Sequence, residues 1–348
     1  MTAIMTKLTH FNDSNQPHSL TALPTILVVG SLNVDLTTFT PRIPNGGETY
    51  TATSFSIGSG GKGANQAVAC SRLSRPKVPA NAGFGTVNVS MMGAVGDDAF
   101  GKTMLSDLEK SGVNTDCVAV RDGLKTGVAV VIVEETTRQN RILLSPEAND
   151  ALLPKHIQQF PTPAPALIIL QFEIRLETVL EVMDLASQQR IPVLLNPAPA
   201  IKMPTAAFAW VEHLILNETE ASILSGCCVD ESTTEGDISL VAKQFNNLGV
   251  KNVVITLGGR GVYYSCSNGE SNHVSGLLKS LEVSVVDTTA AGDTFIGAYA
   301  VEAVKPGFHL GRVCEKANRA AALTVGRKGA QESIPWADEL TPYKSIFD

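Results

Sequence analysis

The chain has 348 residues, of which 44% are hydrophobic and 18% charged, and its net charge is −7. This composition is typical of a globular enzyme and excludes a disordered or fibrous chain, while an acidic balance without a Lys/Arg cluster argues against a nucleic-acid partner. No apolar run approaches the length of a membrane span, which argues against a membrane partner. The six cysteines show neither a CxxC pair nor a metal-ligand spacing. They predict reduced thiols in a cytoplasmic protein, and a nuclear pool is compatible with that location.

Residues 1–24 are polar, unpatterned and end at Pro24. They lack the positive start and apolar centre of a signal peptide, so we expect a mobile N-terminal extension. One α/β domain is expected over 25–348. Within it, the Pro- and Gly-containing stretch 74–85 predicts a surface loop insertion.

From residue 25 onward, short apolar runs end abruptly in polar or small residues, and helix-like segments such as 177–189 and 238–248 separate many of them. This alternation predicts a parallel sheet covered by helices on both faces, a Rossmann-like three-layer α/β core. Ligands of such sheets bind at the carboxyl ends of the strands. The polar ends therefore predict a cleft; the apolar runs before them end at Val29, Leu170, Leu195, Leu216, Thr256 and Val286.

Two segments, about 36–58 and 127–144, break this alternation. The first is rich in Thr with a turn at Asn45-Gly46-Gly47, and the second has two apolar runs around a polar turn. Both predict antiparallel strands outside the main sheet, and their placement favours a small β-sheet lid across the cleft. An ordinary edge hairpin is the alternative.

The glycine-rich stretch 58–63 resembles a phosphate-binding P-loop but fails its pattern. Ser56 stands where the first Gly belongs, and Gly63 replaces the Ser or Thr that would bind magnesium. Residues 30–33 likewise fail the GxGxxG pattern of a dinucleotide site. The glycines at 60–63 instead allow a small polar ligand to approach the backbone, with Lys62 and Asn65 able to bond hydroxyls. A tight turn before a helix is the alternative.

The most informative stretch is 285–295, where an extended apolar run leads through Asp287 and small residues into a predicted helix with Asp293 in its first turn. The N–H groups and the dipole of a helix N-terminus hold an anion. A carboxylate there would repel a phosphate, unless Asp293 takes a proton from a hydroxyl that attacks a phosphoryl group. The alternative is an Asp that merely caps its helix.

Together these motifs resemble the ribokinase-type (phosphofructokinase-B-like) carbohydrate kinases over roughly residues 25–340. Residues 60–66 match the N-terminal signature of that family, and 287–295 match the C-terminal one. The form Ala290-Ala291-Gly292-Asp293, in place of Gly-Ala-Gly-Asp, is a variant associated with its ribokinase branch. Short motifs at 33–35, 171–173, 196–200 and 328–331 agree. The resemblance implies a ribokinase-like fold and ATP-dependent phosphorylation of D-ribose at O5 to D-ribose 5-phosphate.

The resemblance also implies roles for individual residues. Asp293 would be the general base, and the backbone amides of Ala291, Gly292 and Asp293 would stabilise the transferring phosphoryl group. The sugar would be bound by Asn33, Asp35, Gly61, Lys62, Gly63, Asn65 and Glu173 with Asp293, and the nucleotide by Asn217, Thr256, Leu257, Gly258, Gly259, Arg260, Gly261, Gly292 and Asn318. Magnesium would be placed by Asn217 and Glu220, partly through water. Potassium would be bound by oxygens of Asp287, Thr289, Thr324, Arg327, Gly329 and Ser333, several of them backbone carbonyls.

Individual residues keep simpler alternatives. Asp35 could cap a turn, and Glu173 could be a surface carboxylate after an edge strand. Asn217 and Glu220 could form only a capping box. For Asp287, we expect a structural carboxylate whose backbone carbonyl binds the ion.

The activity keeps alternatives too: another small-polyol kinase of the same family, or a non-catalytic sugar-binding regulator. A dehydrogenase is more distant, and a nucleoside kinase is disfavoured because the lid segments offer few aromatic residues, namely Phe39, Tyr50 and Phe55. The family resemblance implies a homodimer in which the lids clasp each other, although no sequence feature identifies the partner surface.

Overall fold

The computed structural model describes residues 22–77, 85–137, 139–267, 273–340 and 345–347. The predicted N-terminal extension lies outside the described residues except for 22–24, and so does the central part, 78–84, of the predicted insertion.

The described residues form two β-sheets and seven α-helices. The strands are β1 Thr25–Val29, β2 Asn33–Thr40, β3 Ser54–Gly60, β4 Asn88–Gly96, β5 Asn114–Arg121, β6 Gly127–Glu134, β7 Gln139–Ser145, β8 Leu167–Leu170, β9 Val193–Leu195, β10 His213–Asn217, β11 Asn252–Thr256, β12 Val262–Ser267 and β13 His273–Leu278. The helices are α1 Lys62–Leu73, α2 Ala99–Lys110, α3 Leu176–Gln188, α4 Glu218–Ser225, α5 Glu235–Asn247, α6 Ala291–Ala303 and α7 Leu310–Val325.

The larger sheet has the strand order β13-β12-β11-β10-β9-β8-β1-β4-β5 in the described part of the chain. Its strands from β5 to β11 are parallel, and β12 and β13 add an antiparallel edge. The predicted parallel α/β core is confirmed. The structure also contains strands that the sequence analysis did not predict, namely β4, β5 and the antiparallel edge strands β12 and β13.

Helices cover both faces of this sheet, because successive side chains of a strand point to opposite sides. On β1, Ile26 and Val28 face one core, which α1, α6 and α7 complete. Leu27 and Val29 face a second core, which α3 and α5 complete. All four side chains are fully buried. The carboxyl end of β1 therefore lies in the interior, and the loop that follows it starts from a well-packed strand.

The smaller sheet, β3-β2-β6-β7, contains both predicted lid segments. The expectation of purely antiparallel pairing is wrong, because β2 and β6 run parallel, with Asn33 opposite Gly127. A parallel pair needs a long crossover connection, and the chain through β4, α2 and β5 supplies it. The other two pairings are antiparallel, as expected for hairpins.

The apolar pair Val285-Val286 does not end a strand, which corrects the reading of that run as a strand leading to Asp287. The last strand ends at Leu278, and both valines are exposed, at 60% and 51%. Their segment is instead tied to the end of α7, since the Val286 and Asp287 amides donate to the carbonyl of Val325.

In the described part of the chain, no helix combines the length and the apolar character needed to cross a membrane.

Candidate active site

Asp293 lies in the first turn of α6 and is almost completely buried. Its carboxylate does not cap its own helix. Instead, Asn65 Nδ2 donates to Oδ2 at 3.1 Å and Gln66 Nε2 donates to Oδ1 at 2.9 Å. Both donors come from the start of α1, so two helix N-termini meet at this carboxylate. This arrangement disagrees with the capping alternative and keeps the carboxylate as a hydrogen-bond acceptor, the form a base requires.

The N-terminus of α6 is open beside Asp293. Ala290, which precedes the helix, adopts a left-handed conformation with φ 58° and provides no side-chain cap. The Ala291 amide donates to the Thr288 carbonyl at 3.3 Å, whereas the amides of Gly292 and Asp293 have no partner among the described residues. Such unpaired N–H groups at a helix start can bind an anion. A Cβ atom added at Gly292 would meet nothing within 4 Å. The geometry therefore leaves room for a phosphoryl group next to the carboxylate.

Glu173 follows β8, which lies between β1 and β9 in the middle of the sheet. The alternative of a surface carboxylate after an edge strand is therefore wrong. Its Oε2 accepts hydrogen bonds from Ser31 Oγ at 2.7 Å, Asn33 Nδ2 at 3.3 Å and the Lys62 amide at 3.0 Å. One carboxylate thus joins the ends of three elements and fixes the predicted sugar-binding residues relative to each other.

Asp35 lies inside strand β2, so it does not cap a turn. Its carboxylate packs against the backbone of Gly60, where an added Cβ would lie only 2.3 Å from Oδ2. The next residue, Gly61, has φ 88°, and a Cβ there would lie 2.6 Å from the Asn33 amide. The glycines of the signature therefore allow the start of α1 to pack against β2. The tight turn before the helix and the close approach of a ligand to the backbone, given above as alternatives, are thus compatible with each other.

The site concentrates negative charge around Lys62. Burial, together with the carboxylates of Glu173, Asp293 and Glu332, raises the pKa of Asp35 to about 7. Burial alone would lower the pKa of Lys62, but the carboxylates of Asp293, Glu173 and Glu220 outweigh it and raise that pKa above its ordinary value. Lys62 is therefore held as a cation among acids, where it can bind an oxygen-rich ligand.

Asn149 belongs to this site although no motif predicts it. It lies in the short helical turn 147–151 and is 1% exposed. Its Nδ2 donates to Asn33 Oδ1 at 2.8 Å and to the Leu32 carbonyl at 3.1 Å, and its Oδ1 accepts from the Leu32 amide at 2.9 Å. With Oδ1 of Asn33 held by Asn149 and Nδ2 by Glu173, the side chain of Asn33 is fixed at both ends.

The predicted nucleotide residues gather at the ends of β10 and β11. Thr256 ends β11, while the side chain of Leu257 is buried in the second core and leaves only its backbone for a ligand. The guanidinium of Arg260 is bound to Glu218 at 2.5 Å and to the carbonyls of Thr233 and Asp230. The positive charge of Arg260 is therefore partly neutralised by Glu218, which leaves less of it for a ligand. The glycines 258, 259 and 261 flank Arg260 in a short helical turn, and Asn318 Nδ2 on α7 donates to the Lys279 carbonyl at 2.9 Å.

Asn217 and Glu220 form a capping box at the start of α4. Glu220 N donates to Asn217 Oδ1 at 2.8 Å, and Glu220 accepts from the Asn217 amide and from Asn217 Nδ2. Burial raises the pKa of Glu220, partly offset by the Asn217 amide and Lys62. Because the two side chains satisfy each other, they fit magnesium through bridging water rather than by direct contact.

The carboxylate of Asp287 makes hydrogen bonds within the protein. Its Oδ1 accepts from the amide and hydroxyl of Thr289 at 2.9 and 2.7 Å, and its Oδ2 accepts from the Gly329 amide at 3.0 Å. The hydroxyls of Thr324 and Ser333 are buried and donate within the protein. Backbone carbonyls are therefore the main oxygens of this cluster, which also contains Arg327, that remain for a cation.

A family model described as pfkB family carbohydrate kinase matches residues 23–337. Ribokinase of Schizosaccharomyces pombe is 45% identical over 316 residues, covering 89% of this chain and 94% of that protein. Deoxyribokinase of Salmonella typhi is 36% identical over 324 residues, covering 92% and 99%. The structure of Arabidopsis thaliana ribokinase complexed with ribose and ATP superposes with a TM-score of 0.78 at 29% identity, covering 91% of this chain and 98% of that one. The chain belongs to the pfkB family of carbohydrate kinases.

Proposed function

We propose that the protein transfers the γ-phosphoryl group of ATP to O5 of D-ribose, giving D-ribose 5-phosphate and ADP. The observation that carries this proposal is the position of Asp293, which lies in the first turn of α6 and accepts a hydrogen bond from Asn65 of the proposed sugar site. A base at that position can reach both the hydroxyl that attacks and the phosphoryl group that is attacked.

The sugar side offers acceptors and donors in fixed directions, which suits a polyol. Asn65 Oδ1 is buried and has no hydrogen-bond partner among the described residues. A ligand hydroxyl donating to it would remove the free-energy penalty of an unpaired buried acceptor. Asn33 and Glu173 also line a cleft of about 150 Å³ between the end of β7 and the main sheet.

In the reaction, O5 loses its proton to Asp293 as it attacks the γ-phosphorus. The bond between O5 and phosphorus forms, the bond from phosphorus to the bridging oxygen of ADP breaks, and ADP leaves with the electron pair. The backbone amides of Ala291, Gly292 and Asp293 face the phosphoryl group, and the helix dipole stabilises its negative charge. Lys62, held as a cation, would offset charge on the sugar side.

Magnesium, placed through water by Asn217 and Glu220, would neutralise charge on the phosphates of the nucleotide. We propose a potassium ion among the carbonyls of the cluster around Asp287. Its support is that the Asp287 carboxylate already links the loop before α6 to Gly329, so an ion there would stiffen the anion-binding loop.

A second candidate substrate is 2-deoxy-D-ribose, because a deoxyribokinase is 36% identical to this chain over nearly its full length. We would measure ADP release with ATP and Mg²⁺ across D-ribose, 2-deoxy-D-ribose, D-fructose and adenosine, with and without K⁺, beside Asp293→Asn. The proposal expects the highest kcat/KM with D-ribose and a loss of roughly 10²–10⁴-fold in kcat for the variant. Preference for another sugar would overturn the substrate, and binding without turnover would favour the sugar-binding regulator.

We also propose a homodimer formed through the lid. The support is a group of exposed apolar side chains that the strand register places on one face of the smaller sheet: Phe55 and Ile57 on β3, and Leu143 on β7. Exposed apolar residues gathered on one small sheet are typical of a surface that another protein covers, and a second copy of the same lid offers a self-complementary match. The six cysteines, all in the described part of the chain, are thiols and not disulfides, which agrees with a cytoplasmic location.

A further inference from the structure

Gln66 is completely buried on α1, one turn from the helix start, and takes part in a chain of side-chain amides. Its Nε2 donates to Asp293 Oδ1 at 2.9 Å and to Asn196 Oδ1 at 3.2 Å. Its Oε1 accepts from Gln171 Nε2 at 2.6 Å. Every polar atom of the Gln66 amide is therefore used, and none is left to contact a sugar or a nucleotide.

The orientation of these side-chain amides is set by two groups that can only accept, the carbonyl of Ile215 and the carboxylate of Asp293. Asn196 Nδ2 donates to the carbonyl of Ile215 at 3.1 Å, and a carbonyl can only accept. Oδ1 of Asn196 must then face Gln66, so the NH₂ group of Gln66 faces both Asn196 and Asp293. The orientation of Gln171 agrees with this, because its NH₂ group meets the remaining oxygen of Gln66, while its own Oε1 is buried without a hydrogen-bond partner among the described residues. A flipped Gln66 amide would lose all three bonds.

The amides reach Asp293 from the carboxyl ends of the central strands. Gln171 directly follows β8 and Asn196 directly follows β9, while Ile215 lies within β10. Gln171 is also held by packing, since a Cβ atom at Gly30 would lie 1.9 Å from its Oε1. The rigid sheet thus determines where the NH₂ group of Gln66 lies.

We propose that Gln66 is a positioning residue for phosphoryl transfer, held by Gln171 and Asn196 and acting through the carboxylate of Asp293. It fixes Oδ1, so that Oδ2, on the side of Asn65, is presented to the sugar hydroxyl and receives its proton. This inference rests on the proposed function in that it takes Asp293 as the base. It extends that function by assigning the orientation of the base to a buried amide that contacts neither substrate.

The test compares Gln66→Leu, Gln66→Glu and Gln171→Leu with the wild-type protein, using kcat, the KM of the sugar, thermal melting and pH–rate profiles. Gln188→Leu is the matched control, because Gln188 is exposed at the end of α3 and its side-chain hydrogen bond among the described residues stays within its own helix, to Asp184. Gln66→Leu should lower kcat about 10- to 100-fold, with a KM for the sugar within about threefold of wild type, because the carboxylate loses orientation but the sugar contacts remain.

The pH profiles separate positioning from simple structural support. Loss of a donor to the carboxylate should move the acidic limb of the Gln66→Leu profile to higher pH. Gln66→Glu keeps the shape of the side chain but can donate to Asp293 only while protonated. Its activity relative to wild type should therefore fall as pH rises, because two ionised carboxylates in contact repel each other. Gln171→Leu should lower kcat by about 3- to 10-fold without altering the atoms that touch Asp293.

A Gln66→Leu protein with wild-type kcat would overturn the proposal. So would a loss of kcat that follows a lowered melting temperature while the pH profile keeps its shape. If Gln66→Leu fails to fold, the test rests on Gln66→Glu and Gln171→Leu. pH–rate profiles of these two variants that run parallel to the wild-type profile would refute the positioning role of Gln66. Failure of the proposed function is distinguishable, because it appears in the wild-type protein itself. A wild type inactive with every sugar overturns both claims, whereas activity with another sugar overturns only D-ribose, and the variants are then compared with that sugar.

Discussion

Asn149 Nδ2 donates to Asn33 Oδ1 over 2.8 Å, although the two residues are 116 positions apart. Asn149 lies in the turn that directly follows lid strand β7, and Asn33 begins lid strand β2. One hydrogen bond therefore connects the turn after the last strand of the smaller sheet, the proposed lid, to a residue of the proposed sugar site. Lid position and sugar binding are expected to be linked through it.

Replacement of Asn149 by Ala should weaken sugar binding more than catalysis. It frees Oδ1 of Asn33 and leaves the Leu32 amide and carbonyl without their partner. A lost buried hydrogen bond is worth about 1–2 kcal/mol, so the KM of the sugar should rise roughly 5- to 30-fold. Steady-state kinetics with Asn140→Ala, which changes an exposed residue of β7, provides the control. An unchanged KM would show that Asn33 is oriented without Asn149.

Stability should depend on pH through Asp35, whose pKa is raised from 3.8 to about 7 in the folded protein. Between these values the folded state holds a proton that the unfolded chain has released, so the stability from this group is present at low pH and is lost as pH rises towards about 7. Asp35→Asn cannot ionise. Its melting temperature relative to wild type should therefore increase between about pH 5 and about pH 8. A difference that stays constant or shrinks over this interval would contradict the burial of the Asp35 carboxylate.

The proposed dimer should depend on apolar residues of the smaller sheet, the proposed lid. Leu143 on β7 is 66% exposed, and Leu240 on α5 is 65% exposed. Leu143→Asp should shift sedimentation velocity profiles to a monomer, because it places a charge in an apolar interface, whereas Leu240→Asp should leave the dimer intact. If both variants sediment like wild type, the lid is not the dimer surface.

Removal of the Asp287 carboxylate should affect catalysis more than sugar binding. Asp287→Ala loses the bonds to Thr289 and Gly329 that hold the loop before α6. We expect kcat to fall about tenfold and the K⁺ concentration for half-maximal activity to rise, because the anion-binding amides lose their support. Turnover measured across a KCl series, with Asp122→Ala as an exposed control, checks this. If the variant depends on K⁺ as the wild-type protein does, the Asp287 carboxylate does not support the proposed ion site.

The positions of the main strands and of the proposed base could be predicted because burial leaves a clear pattern. In β1, β8 and β10, buried apolar residues give way at once to polar or small ones. A parallel sheet brings those ends to one edge, so residues far apart in sequence could be expected to meet there. The Gly and Asp residues of the two signatures were recognisable because close backbone approach and an anion-binding helix start restrict the residue types allowed.

Other features depend on contacts that no local pattern records. Asn149 looks like any polar residue after a strand, and only the folded chain places it at Asn33. Strand β4 contains Gly93, which weakens a strand pattern, but a Cβ there would lie 2.4 Å from Leu32 Cδ1. That glycine is required by close packing. Val285 and Val286 have the composition of a buried strand, yet they are held at the surface by the end of α7.

The central claim is phosphorylation of D-ribose at O5, and identification of the product tests it most directly. The wild-type protein would be incubated with ATP, Mg²⁺, K⁺ and D-ribose labelled with ¹³C at C5, and the mixture followed by ¹³C and ³¹P NMR beside Asp293→Asn. We expect the C5 signal to acquire coupling to phosphorus as ADP accumulates, and no such change with the variant. A phosphate on another carbon, or ATP and D-ribose left unchanged by the wild-type protein, would contradict the proposed reaction.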